Sequence, residues 1–326
     1  MAVYTEVSDE ELEAFVAQYD IARVVSCKGI AEGIENSNYL LQTETGNYIL
    51  TLYEKRVEPA DLPFFLGLME HLAGRGVPCP TPLVGRDGEA LRELAGRPAA
   101  IVSFLNGVWP RRPRPDQCGQ LGDAVARLHI AGSDFALSRP NALSVAAWRP
   151  LFESCAGRAD EVAPGLAEEI AAELEVLERD WPRDLPAGVI HADLFPDNVF
   201  FLTNQLSGLI DFYFACNDSF AYELAILLNA WCFEPDRQFN VTKARLMLAA
   251  YRRRRPFSEA ELEALPLLTR GAALRFLLTR LYDWLNHVEG ALVKPKDPLE
   301  YLQKLRFHQS VRGPAAYGLE WRPWAI

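Results

Sequence analysis

The sequence predicts an α+β protein of two unequal parts. A small, mainly antiparallel β-sheet lobe should cover residues 1–105, and a larger, mainly helical lobe residues 106–326. Three observations carry this. Short apolar runs bounded by turn residues fill the first part, whereas helical periodicity dominates the second. The connector "FLNGVWP" (104–110), with Gly107 and Pro110, marks the change. In the second part, short strand-like runs return only around a polar cluster within residues 189–211.

The elements follow in order. "SDEELEAFVAQY" opens with a capping box, Ser8 to Glu11, and continues as an amphipathic helix. "IARVVSCK" reads as a strand. "SNYLLQT" and "NYILTLYE" are strands joined by the turn "ETGN". "DLPFFLGLMEHLAGRG" is an inserted helix ending near Gly74 to Gly76. "TPLVGRDGEALREL" reads as a hairpin turning at Asp87-Gly88, and "PAAIVSFL" completes a five-stranded sheet. Beyond the connector, "DQCGQLGDAVARLHIAG" and "APGLAEEIAAELEVLERDW" have helical period, as do residues 219–232, 240–255, 258–290 and 298–311.

Composition narrows the function classes. Hydrophobic residues make up 49% and charged residues 24%, an ordinary globular balance. A formal net charge of −11 argues against nucleic acid as partner. The basic runs "RRPRP" and "YRRRRP" read as a solvated loop and a helix end, the latter favoured by the helix dipole and stopped by Pro256. No apolar run approaches the roughly 20 residues of a membrane span. The start "MAVYTEVSDEELEAF" lacks the features of a signal peptide. A soluble, cytoplasmic protein is expected. The six cysteines form no C-x-x-C pair and read as reduced, mostly buried thiols.

The chemistry concentrates in "VIHADLFPDNVFF" (189–201) and "GLIDFYF" (208–214). Asp193 and Asn198 lie five residues apart between apolar runs, and Asp211 ends the next run. Phosphoryl transfer needs this combination: one carboxylate for the attacking hydroxyl, and an amide with a second carboxylate to hold magnesium against nucleotide phosphates. The spacing matches the H-R-D-L-x-x-x-N and D-F-G signatures of protein kinases. His191 is read as a brace for the loop, and Asp197 receives no catalytic role. Taken singly, an H-x-D also fits a capping pair or a metal-hydrolase site. The phosphates would lie against "KGIAEGIENSNY", where Gly29 and Gly33 permit close backbone approach and Ser37 and Asn38 could add contacts. An ordinary glycine-containing hairpin turn fits that stretch too. No G-x-x-x-x-G-K-[ST] loop is present.

With these motifs the chain resembles the aminoglycoside-phosphotransferase and choline-kinase-like small-molecule kinases, and within them the homoserine kinases built on that fold. "GIAEGIENSNYLL", "VIHADLFPDNVFF" and "GLIDFYFACNDSFAYELAILLNAWCF" carry the resemblance, which runs from about residue 28 to residue 285. It implies a bilobal protein-kinase-like fold and ATP- and Mg2+-dependent phosphorylation of the L-homoserine side-chain hydroxyl. Asp193 matches the catalytic base, Asn198 and Asp211 the magnesium ligands, and Ser103 to Leu105 the hinge that binds adenine. The chain departs from the wider fold at Thr51, where a Lys or Arg usually grips the phosphates. Lys28 and Lys55 stand nearby in sequence, and Glu70 is left without the ion-pair role. For the acceptor, "LRFLLTRLYDWL" offers Arg275, Thr279, Arg280 and Asp283 on one helix, and Asp218, Tyr222 and Asn229 are further candidates. An intrahelical ion pair between Arg280 and Asp283 explains part of that pattern equally well. The competing readings are a kinase of choline, an amino alcohol or an amino sugar, and a nucleotide-binding pseudokinase. Oligomeric state is not legible. Trp321 and Trp324 in the tail are expected to dock on the helical lobe.

Overall fold

The structure is a computed structural model describing residues 5–30, 36–54, 57–287 and 295–319. Helix α1 (Asp9–Val16) begins with the expected capping box, the Ser8 side chain accepting from Glu11 N and the Glu11 carboxylate accepting from Ser8 N at 3.0 Å. Strands β1 (Val24–Gly29), β2 (Ser37–Thr43) and β3 (Asn47–Leu52) form an antiparallel meander. Helix α2 (Leu62–Gly74) follows, then β4 (Arg92–Leu94) and β5 (Arg97–Ser103). The sheet order is β1-β2-β3-β5-β4.

The stretch expected to be a hairpin over residues 81–94 is built differently. Gly85 N donates to Glu89 O at 2.9 Å across the Asp87-Gly88 turn, but no ladder continues between the two arms; both pair with β5. Pro82 bridges Val102 and Leu83 N donates to Ile101 O, while β4 turns onto β5 through Ala95 and Gly96. Those two residues have φ of 50° and 70°, the geometry of a tight hairpin turn. Asp87-Gly88 sits in a wider turn whose Asp87 carboxylate accepts from Glu89 N at 3.1 Å.

Strand alternation makes β5 the seam of the first part. Ala99 and Ile101 face a cluster with α1 residues Leu12 and Phe15, and Ala100 and Val102 face α2. The second cluster does not stop at the connector. It joins Phe65 and Leu68 of α2 to Leu194, Val199 and Leu209 in the second part. The connector docks on the later strands through paired bonds between Val108 and Phe201, each 3.0 Å. Gly107 is needed there. Its φ is 152°, and a Cβ would lie 2.5 Å from Ser207 Oγ and 2.9 Å from Phe200 Cβ.

The second part contains α3 (Pro115–Ala131), α4 (Val145–Glu153), α5 (Leu166–Asp180), β6 (Ala187–Ile190), β7 (Val199–Leu202), β8 (Gln205–Leu209), β9 (Cys216–Ser219), α6 (Phe220–Trp231), α7 (Val241–Arg254), α8 (Glu259–Leu285) and α9 (Pro298–Ser310). Helix α4 was not expected. It is short and carries Pro150, which argues against a helix locally. Burial of Trp148 against Trp181, ring centroids 4.9 Å apart, holds it. Among the described residues no helix is long and apolar enough to cross a membrane. The arginines closing α7 serve its end: Arg254 pairs with Asp123, and Arg255 with Glu261 at 2.8 Å. Gly33, Lys55, Trp321 and Trp324 lie outside the described residues.

Candidate active site

Two antiparallel pairs present the polar cluster. β6 pairs with β9 and β7 with β8, so the loop 191–198 joins two strands that are anchored in core. Asp211 follows β8. The backbone between Asn198 and Ile210 is tied, Ile210 N donating to Asn198 O at 3.0 Å. That bond brings the end of the first motif beside the start of the second.

Three of the loop's carbonyls are held by side chains. Arg275 Nη1 donates to Ala192 O at 2.7 Å, Asn198 Nδ2 to Asp193 O at 2.8 Å, and Trp231 Nε1 to Leu194 O at 2.7 Å. Its first two amides point the other way. His191 N and Ala192 N both donate to the fully buried Glu223 carboxylate. This matters because Ala192 is left-handed, with φ 63°, a conformation that costs a residue with a Cβ on the order of 1–3 kcal/mol. Glu223 on one side and Arg275 on the other clamp that residue, and the next residue is Asp193. His191 Nε2 meets Ile210 O at 3.0 Å, the bracing contact expected of it. Behind Glu223 lies His129 of α3, its Nε2 3.8 Å from the carboxylate and its Nδ1 2.8 Å from Tyr251 Oη. Burial pushes the His129 pKa down, despite the pull of Glu223.

Glu223 escaped the sequence reading. The available signal was one carboxylate at the start of the otherwise apolar helix "FAYELAILLNAW". Glu223→Ala is expected to lower unfolding free energy by about 2–6 kcal/mol, since two buried N–H groups lose their acceptor at roughly 1–3 kcal/mol each. Urea unfolding reads this directly. An unchanged midpoint would mean that the loop holds itself.

The Asp193 carboxylate is half-buried, and its Oδ2 accepts from Asn198 Nδ2 at 3.2 Å. Burial pushes its pKa well above the usual carboxylate range, the Arg275 charge pulls it back, and Asp211 and Asp197 push it up further. Asn198 spends its amide nitrogen on Asp193, leaving Oδ1 as its remaining ligand atom. Asp211 also takes a left-handed backbone, φ 67°. Among the described residues no three His, Cys, Asp or Glu side chains gather into a metal cage. One amide and one carboxylate oxygen suit magnesium, which keeps waters and substrate oxygens in its shell.

On the sheet side, several residues expected near the nucleotide are committed elsewhere. Ser37 is fully buried; its hydroxyl donates to Glu54 at 2.7 Å and accepts from Thr5 N. Asn38 accepts from Thr51 Oγ1 at 2.8 Å. Thr51 is buried and also within reach of the Tyr213 hydroxyl, which lies 3.2 Å from that of Tyr53. The strand position that usually carries a cation is therefore committed to Asn38 on the neighbouring strand. Phe65 of α2 adds an edge-on ring contact to Tyr213 at 5.7 Å. Lys28 is exposed on β1, and Gly29 pairs with Tyr39 at the end of that strand. Ser103 exchanges two 2.9 Å bonds with Thr81, so its N–H is already used; Leu105 follows at the connector.

The acceptor candidates separate. Arg275 is buried, stacks on Phe276 at 4.4 Å and holds Ala192; its Nε is sealed from solvent without a partner. Arg280 pairs with Glu300 of α9 at 2.6 Å, not with Asp283 as its spacing suggested. Burial raises the Glu300 pKa, but Lys304 and Arg280 more than offset this and hold it down at about 2. Asp283 is exposed near the end of α8. Asp218 accepts from Asn141 Nδ2 and from Ser219 N, each at 2.7 Å. Asn229 donates to Ala225 O and Thr269 O within the helical core.

The sequence profile of the phosphotransferase enzyme family matches residues 26–257. The chain belongs to that family. Within it, a homoserine kinase of Paramagnetospirillum magneticum is 67% identical over 326 residues, covering 98% of this chain and 100% of that one. A homoserine kinase of Rhodospirillum rubrum is 66% identical, covering 98% and 99%. Solved structures similar to this phosphotransferase include an amicoumacin kinase in complex with AMP-PNP, Ca2+ and Ami, with a TM-score of 0.68 at 15% identity over 93% of this chain and 92% of that one. A microcompartment-associated aminopropanol kinase has a TM-score of 0.63 at 18% identity, covering 93% and 97%. At such identities these two speak for the fold, which is the protein-kinase-like one expected.

Proposed function

We propose that this phosphotransferase is an ATP-dependent homoserine kinase, transferring the γ-phosphoryl group to the side-chain hydroxyl of L-homoserine on the way to threonine. The observation that carries the substrate is 67% identity to a homoserine kinase across nearly the whole of both chains. The geometry supports the reaction class. Asp193 stands at the end of a clamped loop, where its carboxylate can orient the hydroxyl and accept its proton. Asn198 supports this by donating to Asp193, which leaves its Oδ1 free to ligate the ion. Magnesium held by Asn198 and Asp211 would neutralise charge on the phosphates during transfer. With Ser103 N already bonded, the adenine contact falls to Leu105, and Gly29 would lie along the phosphates. Arg275 serves the reaction by fixing Ala192. A small-molecule acceptor in a chain of net charge −11 suits a cytoplasmic enzyme with no nucleic-acid or membrane partner.

A coupled ADP-release assay over homoserine, choline, 3-amino-1-propanol and an amino sugar tests this reading. The highest kcat/KM is expected for homoserine. Preference for another acceptor would overturn the substrate. Nucleotide binding with no turnover on any acceptor would make the protein a pseudokinase.

A further inference from the structure

Four cations and two carboxylates line a cavity of about 310 Å³ beside the catalytic loop: Arg111, Arg280, Lys296 and Lys304, with Asp197 and Glu300. Phe195 and Trp109 form apolar parts of its wall. Among the described residues that line it, none comes from the β1–β5 sheet. Its wall includes Phe195, Pro196 and Asp197, the residues that follow Asp193 on the loop.

The charged groups there are not equivalent. Glu300 is locked between Arg280 and Lys304, both at 2.6 Å, and those two cations are largely buried by the arrangement. Lys296 and Asp197 are held loosely. Their closest approach is 3.9 Å, beyond a hydrogen bond, and their side chains are 64% and 53% exposed. An ion pair this open is worth little to the fold. The Lys296 ammonium rests over the Phe195 ring, 5.4 Å from its centroid, which orients it over the loop. Its charge is felt at Asp193.

We propose that Lys296 and Asp197 clamp the α-amino-acid end of the acceptor, Lys296 taking its carboxylate and Asp197 its ammonium, while the side-chain hydroxyl reaches Asp193. The pair presents opposite charges side by side, the complement of a zwitterion. Homoserine spans roughly 5 Å from hydroxyl to carboxylate by its bond lengths, and Asp197 lies four residues beyond Asp193 on the same short loop, its charge raising the Asp193 pKa. Arg275 is sealed, and Arg280 and Lys304 are held by Glu300; of the remaining cavity cations Arg111 and Lys296, Lys296 is the one seated beside a carboxylate and over the loop's Phe195 ring. The clamp rests on the homoserine kinase reading and adds how the site would prefer an amino acid over a plain amino alcohol.

Steady-state kinetics of the full chain test it, with Lys296→Met and Asp197→Asn beside the wild type. Both side chains are exposed, so both variants should fold, and the KM for ATP serves as an internal control. Lys296→Met should raise the KM for homoserine about 10-fold or more, the low end for a charge-assisted hydrogen bond, and leave that for ATP nearly unchanged. The preference for homoserine over 3-amino-1-propanol, which lacks the carboxylate, should fall by the same factor. Asp197→Asn should weaken competition by 3-amino-1-propanol but not by 4-hydroxybutanoate, which lacks the ammonium. An unchanged KM for homoserine in both variants overturns the clamp. So does a rise in the KM for ATP matching that for homoserine, which would give Lys296 to the phosphates. Wild-type inactivity on homoserine would instead remove the underlying function, a separate result.

Discussion

Asp193→Asn is expected to bind nucleotide with magnesium as wild type does and to lose about 10²–10⁴-fold in turnover, the usual cost of removing a general base. The substitution suits the local structure. An amide oxygen at that position can still accept from Asn198 Nδ2, now 3.2 Å from Asp193 Oδ2, so the loop keeps its shape. It cannot take a proton from the acceptor hydroxyl. The backbone is held independently, through Glu223, Arg275 and Trp231. A drop in turnover with unchanged nucleotide affinity therefore reports chemistry and not collapse. Turnover within a few-fold of wild type at saturating substrates would remove Asp193 from the base role.

Asp211→Ala should abolish transfer and weaken nucleotide binding chiefly when magnesium is present, because the carboxylate's part is to hold the ion. Calorimetry with and without magnesium separates this from damage to the fold. Asp211 has a left-handed backbone, which alanine tolerates poorly. Asp211→Asn belongs beside it, since asparagine accepts that conformation and removes only the charge. If both variants lose affinity equally with and without magnesium, the residue shapes the turn and the metal role is wrong. If Asp211→Asn alone behaves as the magnesium reading requires, the excess loss in the alanine variant measures backbone strain.

Much of the architecture was legible because it is written in local spacing. Period-2 runs gave β2, β3 and β5, and helical periodicity with recognisable caps gave α1, α2 and the long helices. The hairpin over residues 81–94 was misread because strand propensity does not say which partner a strand will choose; the edge of β5 offered pairing to both arms. Helix α4 was missed because Pro150 speaks against a helix locally, and only packing of Trp148 on Trp181 overrides it. At the site, Asp193, Asn198 and Asp211 were readable from their spacing alone, since a loop and the strand after it bring them together over a short stretch.

The sequence by itself determined the reaction class and most of the elements, and it set the spacing of the polar trio, because each depends on residues close along the chain. The tertiary structure decided what surrounds them. Glu223 binds the loop amides from 32 residues away, and Arg275 reaches Ala192 across 83. Thr51 donates to Asn38 on the neighbouring strand, and Arg280 pairs with Glu300 of α9. A buried charge or hydroxyl must find a partner wherever the fold brings one, and that choice depends on the approach of distant segments, to which one-dimensional periodicity is blind.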